Sequence, residues 1–441
     1  MVTASKQGFD GAMRAVHRWQ RSLAAHPKKQ LVTLNVWEAV LFEHDIESLI
    51  DIARKAAEIG VERFVLDDGW FHLRRSDNAG LGDWWVDRDI WPNGLGELAD
   101  VVHECGMEFG IWIEPEMINP DSDTFRANPH WAMGAGSRQP ILERNQLVLD
   151  LSNPQAYQHV IESITAVLQE TAIDFVKWDH NRRILEGGSA LRGNRPAVHQ
   201  QTEAFYRLHD DLRSCFPHLE IESCASGGGR IDQGVVQKVQ RFWASDGTDA
   251  LSRQKMQYWL LQQVAPEYLG AHISRETSAQ TGRSYPLSFR AMTALMYGFG
   301  IEWDIREATA NELVQLREWI RWYKAHRDLL HTGECVRFDL SDPALLAYGV
   351  IAQDKTEVVI FHVQCEESWS NRGINLRVPG LDSQRDYRVK ILGDLGHYSE
   401  INSAEYLPTA GKYRGAYLAH HGIYLPRCQP ETVRVLELKA V

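Results

Sequence analysis

Short apolar or β-branched runs alternate with amphipathic stretches from residue 31 to residue 330, and this alternation constrains the fold more than any other feature. Eight runs read as strands, at 31–37, 63–68, 109–114, 147–151, 173–179, 219–224, 241–246 and 268–273. Helical patterns lie between them at 45–59, 154–171, 201–215, 253–264 and 287–297. Repeated strand-helix alternation favours a parallel (β/α)8 TIM barrel over an open sheet. After a helical stretch at 314–323 the texture changes, and short strands separated by turns follow at 336–338, 345–351, 357–363, 374–378, 387–392 and 433–438. They predict a smaller C-terminal antiparallel all-β domain, a β-sandwich. The expected division is a short helical and linker segment at 1–30, a catalytic barrel at 31–330 and a β-sandwich at 331–441. A chain of 441 residues is too long for one ordinary core, in keeping with two domains.

The strands share a bias: apolar interiors end in polar or charged residues. The run Ile173-Asp174-Phe175-Val176 ends in Lys177, Trp178, Asp179 and Asn181, and Arg241-Phe242-Trp243-Ala244-Ser245 ends in Asp246. Others end in Asp67-Asp68-Gly69-Trp70, in Trp112-Ile113-Glu114-Pro115-Glu116 and in Cys224-Ala225-Ser226-Gly227-Gly228-Gly229-Arg230. A single such aspartate is commonly a helix cap or a turn residue. Five strands with the same ending are hard to obtain from capping. In a barrel the carboxyl ends of the strands carry the chemistry, and two aspartates there point to the carboxylate pair that cleaves glycosidic bonds.

Asp179 is the candidate nucleophile, with Lys177 on the same face of its strand to keep it ionised. Asp246 is the candidate acid/base, its pKa raised by a neighbouring carboxylate. Asp67 and Asp68 are candidate acceptors for sugar hydroxyls. No His or further carboxylate shows metal-ligand spacing, so no metal is expected. The glycine run at 227–229 allows backbone to approach a ligand closely but lacks the strand-GxGxxG-helix pattern of a dinucleotide site. No cofactor is expected. Cys224 has no evident His partner and reads as a pocket wall.

Net charge is −12 and basic residues do not cluster, which argues against nucleic-acid or anionic-membrane binding. No run of eighteen apolar residues exists, and the start Met1-Val2-Thr3-Ala4-Ser5-Lys6-Gln7 has no apolar signal core. The six cysteines are scattered without CxxC spacing. Together these features predict a cytoplasmic enzyme. Fifteen tryptophans suit sugar binding, since a pyranose packs its C–H face on aromatic rings, but large cores use tryptophan too.

Seven motifs in order carry a resemblance: Asp-Asp-Gly-Trp at 67–70, Gly-Asp-Trp at 82–84, Trp-Ile-Glu-Pro-Glu-Met at 112–117, Arg-Asn-Gln-Leu-Val-Leu-Asp at 144–150, Lys-Trp-Asp-His-Asn at 177–181, Cys-Ala-Ser-Gly-Gly-Gly-Arg at 224–230 and Trp-Ala-Ser-Asp-Gly-Thr-Asp at 243–249. The chain resembles the α-galactosidases of glycoside hydrolase family 36 over nearly its whole length. The resemblance implies that Asp179 attacks the anomeric carbon to form a covalent glycosyl-enzyme. It implies that Asp246 protonates the leaving oxygen and then activates water, giving retention with the carboxyls about 5–5.5 Å apart. It places Asp67 and Asp68 on the 4- and 6-hydroxyls of galactose, and Trp112, Arg144, Lys177 and Asn181 along the same subsite. Cys224, Gly227 and Gly228 are expected near the 2-hydroxyl.

The implied substrates are α-galactoside oligosaccharides of raffinose or melibiose type. Full-length members carry a β-sandwich before the barrel, whereas this chain begins just before the barrel. A more open pocket and weak discrimination beyond the terminal galactose are expected, and assembly into a homo-oligomer stays open. Two other readings remain at this point: an α-N-acetylgalactosaminidase on the same scaffold, and a non-catalytic carbohydrate-binding homologue. A thiol at Cys224 suits a hydroxyl better than an acetamido group. Both carboxylates are present, which argues against the binding protein. Transglycosylation is a further variant, since a sugar can intercept the covalent intermediate.

Overall fold

A computed structural model describes residues 2–393 and 411–441; residues 394–410 of the expected C-terminal β domain lie outside the described residues. Eight strands, β1 (Thr33–Asn35), β2 (Arg63–Leu66), β3 (Glu108–Ile113), β4 (Phe175–Trp178), β5 (Glu220–Ser223), β6 (Arg241–Trp243), β7 (Leu269–Ile273) and β8 (Gly298–Ile301), close into a barrel in which neighbours in sequence are neighbours in space. The pairs from β8 through β1 to β4, β5 and β6 are parallel. β2 and β4 are buried at every position, as parallel strands covered on both faces must be.

Two expectations need correction. The run at 147–151 is not a barrel strand: Leu147–Val148 pairs antiparallel with Met117–Ile118 in a two-stranded ribbon. The eighth barrel strand is instead Gly298–Ile301. Two glycines in four residues erase the β-branched signal that marks a strand, and only the barrel context makes Gly-Phe-Gly-Ile extended.

Local chemistry explains the elements that aim the site. Asp45 accepts from the Ser48 N–H at 2.8 Å and starts the helix Ile46–Ile59, which Gly60 ends at φ 98°. Asn153 caps Pro154–Glu170, where proline occupies the first turn at no hydrogen-bond cost. The starts of three strands are tied by Arg63, whose guanidinium bonds Glu108 at 2.6 Å and Glu220 at 2.5 Å and lies 4.2 Å over the Phe175 ring. Gly110 makes room for that ring, since a Cβ there would fall 2.9 Å from it. With one end of the sheet fixed in this way, the functional groups lie beyond the other.

By compactness the chain divides into two units, one of Leu23–Asp246 with Gly300–Arg317, the other of Met1–Ser22, Gly247–Phe299 and Glu318–Val441. The second unit contains a six-stranded sheet built from β9 (Glu334–Arg337), β10 (Leu345–Ile351), β11 (Glu357–Gln364), β13 (Asp386–Gly393), β14 (Lys412–Arg414) and β16 (Thr432–Ala440), with β12 (Ile374–Leu376) and β15 (Ile423–Leu425) forming a separate pair. The recorded pairings in both sheets are antiparallel. Val336, Ile360 and Leu436 of the large sheet share one core with Leu376, Ile423 and Leu425 of the small one. No helix among the described residues is long and apolar enough to cross a membrane.

Burial gives both units a common sensitivity to acid. His17, His44, His209 and His331 are each pushed down from 6.5 to about 4, chiefly because burial penalises the imidazolium. The folded chain keeps these rings neutral while the unfolded chain protonates them below pH 6.5, so their contribution is intact above that value and is lost as pH falls toward 4. Urea midpoints measured between pH 7.5 and 4.5 should hold level to about 6.5 and then decline steadily. A flat profile across that window would contradict this account.

Candidate active site

The candidate side chains lie at or just past the carboxyl ends of β2, β3, β4, β5 and β6, with Arg144 on a separate turn, and all belong to the first unit. Asp67 and Asp68 follow β2 directly, Asp179 follows β4, and Asp246 comes three residues after Trp243. They sit beyond the regular strands, not on their last residues as the sequence pattern suggested.

One cation organises the group. Lys177 is buried and donates to Asp67 Oδ2 at 2.8 Å, with its ammonium 6.0 Å from the Trp243 ring centre. Burial works against its charge, but Asp67, Cys224, Glu302 and Asp179 together outweigh that and hold its pKa well above the ordinary value. Asp67 also accepts from Asn35 Nδ2 at 2.6 Å and from the Asp68 N–H at 2.9 Å. Asp68 takes a forked pair of bonds from Arg74, at 2.9 Å to Oδ1 and 2.7 Å to Oδ2. Burial still raises its pKa, with Asp67 and Asp179 adding to that rise against Arg74.

Asp179 has the densest set of donors. Trp112 Nε1 and Asn181 Nδ2 donate to its Oδ2 at 3.1 and 2.7 Å, while the His180 N–H reaches Oδ1 at 2.7 Å. The Cys224 thiol hydrogen-bonds the same carboxyl. Burial opposes ionisation, yet Lys177 and these donors prevail, and the pKa of Asp179 falls below the usual carboxylate value. Cys224 moves the other way: burial and the charges of Asp179 and Asp246 keep it a protonated thiol. That makes it a donor to Asp179 and a poor nucleophile.

Asp246 differs from Asp179 in sign. Its outer surface is open to solvent, although protein atoms crowd its carboxyl. Loss of hydration, followed by the charge of Asp179, raises its pKa against the opposing pull of Lys177, a bond from Trp243 Nε1 at 3.1 Å and the charge of Arg144. Arg144 itself is exposed in a left-handed turn, φ 52° followed by 60° at Asn145. Gly227 and Gly228 press against the strand end that carries Asp246. A Cβ on Gly227 would lie 2.6 Å from the Ser245 Cα, and one on Gly228 would lie 2.6 Å from the Ala244 oxygen. Their lack of side chains brings two chain segments together, a need that the sequence reading had assigned to a ligand.

The eleven site residues named from the sequence thus fall into one neighbourhood linked by bonds, close packing and charge. Several partners escaped that reading: Arg74 on Asp68, Asn35 on Asp67, Trp243 on Asp246, and the buried Glu114 beneath Asn181. Glu114 stood in plain view within Trp-Ile-Glu-Pro-Glu-Met, but a strand-end pattern cannot tell which of two carboxylates turns toward Asn181. Glu116 turns elsewhere, to Trp178 Nε1 at 2.9 Å and Arg230 at 2.7 Å. A trio of His72, Asp83 and Asp123 also has metal-ligand spacing. Both oxygens of Asp83, however, accept backbone N–H groups at Asp123 and Thr124, 2.8 and 2.9 Å away, so its geometry is that of a helix cap.

A closed parallel barrel with charged groups gathered at the carboxyl ends of its strands has the layout of a barrel enzyme, with its candidate site at that face. Residues 1–333 match the family model described as Melibiase, and residues 345–437 match that of the glycosyl hydrolase family 36 C-terminal domain. The chain belongs to the melibiase family, within glycoside hydrolase family 36. An alpha-galactosidase of Escherichia coli is 39% identical over 447 residues, covering 99% of this chain and 62% of that protein. AgaA of Geobacillus stearothermophilus is 38% identical over 90% of this chain and 55% of its own length. The crystal structure of AgaA superposes with a TM-score of 0.91 at 35% identity, covering 99% of this chain and 60% of that one. AgaB from the same organism also gives 0.91, at 36% identity. Variants of AgaA have been solved with raffinose and with stachyose. The chain spans about three fifths of the length of the E. coli relative and of AgaA as crystallised.

If Lys177 is the main force ionising Asp179, replacing it with a neutral side chain must raise the Asp179 pKa. The Asp179 carboxyl of Lys177→Met, followed by carbon-13 NMR, should titrate at higher pH than in the unsubstituted chain. An unchanged midpoint would show that the hydrogen bonds suffice without the cation.

Proposed function

We propose that the chain is a retaining α-galactosidase, hydrolysing terminal non-reducing α-D-galactosyl residues of raffinose- or melibiose-type oligosaccharides by double displacement. The observation that carries this reading is the opposite bias of two carboxyls in one site, Asp179 held ionised and Asp246 biased toward its acid form. Family membership and the names of the relatives support the same chemistry.

In the first step an Asp179 oxygen attacks the anomeric carbon while Asp246 gives its proton to the glycosidic oxygen, and the aglycone leaves as an alcohol. The bond formed is the galactosyl ester and the bond broken is the glycosidic one. In the second step the Asp246 carboxylate takes a proton from water, whose oxygen displaces Asp179 and returns the α-anomer. Asp67 and Asp68 accept from the 4- and 6-hydroxyls, and Trp112, Arg144, Lys177 and Asn181 shape the galactose subsite. Cys224, Gly227 and Gly228 lie toward the 2-hydroxyl, where a protonated thiol favours galactose over its acetamido analogue. The raffinose and stachyose complexes of AgaA variants support the oligosaccharide class. The domain division at 30 and 330 remains part of this reading, and the six free cysteines support a reducing, cytoplasmic setting.

Hydrolysis of p-nitrophenyl α-galactoside should proceed with α-galactose as the first product seen by proton NMR. Asp179→Asn should lower turnover by at least about 10³-fold without loss of the fold. Turnover of the α-N-acetylgalactosaminide alone would overturn the substrate assignment, and first appearance of β-galactose would overturn retention. A folded chain that binds galactose and cleaves neither glycoside would point to a binding protein.

A further inference from the structure

Beneath the nucleophile candidate lies a carboxyl that the mechanism above does not use. Glu114, immediately after β3, is buried and faces three N–H groups. Gln146 Nε2 donates to its Oε1 at 2.8 Å, the Asn181 backbone N–H donates to the same oxygen, and Asn181 Nδ2 donates to Oε2 at 3.1 Å. Asn181 Nδ2 also donates to Asp179 Oδ2 at 2.7 Å. On its other side the Ser226 hydroxyl donates to Asn181 Oδ1 at 3.1 Å. Ser226 adopts φ 46°, a left-handed conformation unusual for a side-chain-bearing residue and one that commonly marks functional loops.

These bonds leave the Asn181 amide one orientation. Its NH2 must face two carboxylates and its oxygen must face a hydroxyl. We infer that Glu114 is a positioning residue for the reaction: by holding Asn181 from below, it directs one amide N–H onto Asp179 and fixes the oxygen that carries the galactosyl group. The inference rests on the reading of Asp179 as nucleophile. A carboxyl is required here because both of its oxygens accept. A glutamine at 114 would turn its own NH2 onto a donor in either orientation, against Gln146 and the Asn181 backbone or against Asn181 Nδ2. Asn181 would then relieve the conflict by flipping, setting its oxygen against the Asp179 carboxylate. Burial and the Asp179 charge push the Glu114 pKa up to about 8, against both Asn181 donors and Arg74; the three N–H groups facing its two oxygens nevertheless require an acceptor on each, so the geometry is that of the ionised form.

The experiment compares Glu114→Gln, Asn181→Ala and the double variant on p-nitrophenyl α-galactoside. Glu114→Gln should lower kcat by about 10- to 100-fold with KM nearly constant, as misalignment of a reacting group does. In the Asn181→Ala background the same change should cost almost nothing, because its route is already cut. Unchanged kcat in Glu114→Gln, or an equal further loss on top of Asn181→Ala, would overturn the inference. Should Glu114→Gln fail to fold, Ser226→Ala loosens the same amide from its exposed side; its kcat should fall severalfold, with no further fall in Asn181→Ala, and normal kcat would count against the mechanism. Lack of turnover by the unsubstituted chain would sink the proposed function alone. The positioning claim is then read from hydrogen exchange of the Asn181 side-chain amide in nitrogen-15 asparagine-labelled protein. Exchange should be slow in the unsubstituted chain and fast in Glu114→Gln, and equal rates would reject it.

Discussion

The site depends on one buried ammonium. Lys177 lies among Asp67, Asp179 and Glu302 where water is largely excluded, so its charge is worth far more there than on the surface. Removing one partner of such a buried pair typically costs about 3–5 kcal/mol, because the other charge is left without compensation. Strand register sets where the cation is offered: Trp112 on β3 pairs with Lys177 on β4, and Lys177 pairs with Glu222 on β5. That register places Trp112 beside β4, where its indole reaches the Asp179 carboxyl.

From that cation follows a division of labour between the two carboxyls. Asp179, supplied with Lys177, Trp112, Asn181 and the Cys224 thiol, is stabilised as an anion. Asp246, buried at its carboxyl and with the anion of Asp179 near it, is pushed toward its neutral form against the indole bond from Trp243. Neither bias is intrinsic to aspartate. Each follows from which neighbours the barrel brings, and exchanging those neighbours would exchange the roles. The glycines at 227 and 228 serve the same end, since any side chain there would collide with the backbone at residues 244–246 and move Asp246.

Much of this was legible in the sequence because barrel strands advertise themselves twice, by an apolar interior and by a polar exit. The exits at Asp67-Asp68, Lys177-Asp179 and Asp246 pointed to side chains that the structure brings together at one end of the barrel. What failed did so for local reasons. Leu147–Val148 is apolar enough to pass for a barrel strand, yet its partner is Met117–Ile118 in an excursion after β3. Gly298–Ile301 is a barrel strand whose glycines hide it. The supporting carboxyl of Glu114 was hidden for another reason: its role depends on an amide orientation fixed by Ser226 and Asp179, residues far apart in the chain. Periodicity shows which face a residue occupies, but it does not show which of several acceptors a donor will choose.

The central claim is that Asp179 becomes covalently bonded to the sugar. The direct measurement is incubation with a fluorinated galactosyl fluoride, whose good leaving group speeds the first step while the ring fluorine slows the second. Peptide mapping by mass spectrometry should then find one galactosyl ester, on the peptide containing Asp179, and none in Asp179→Asn. A label on Asp246 or elsewhere, or steady turnover without any trapped ester, would contradict the account.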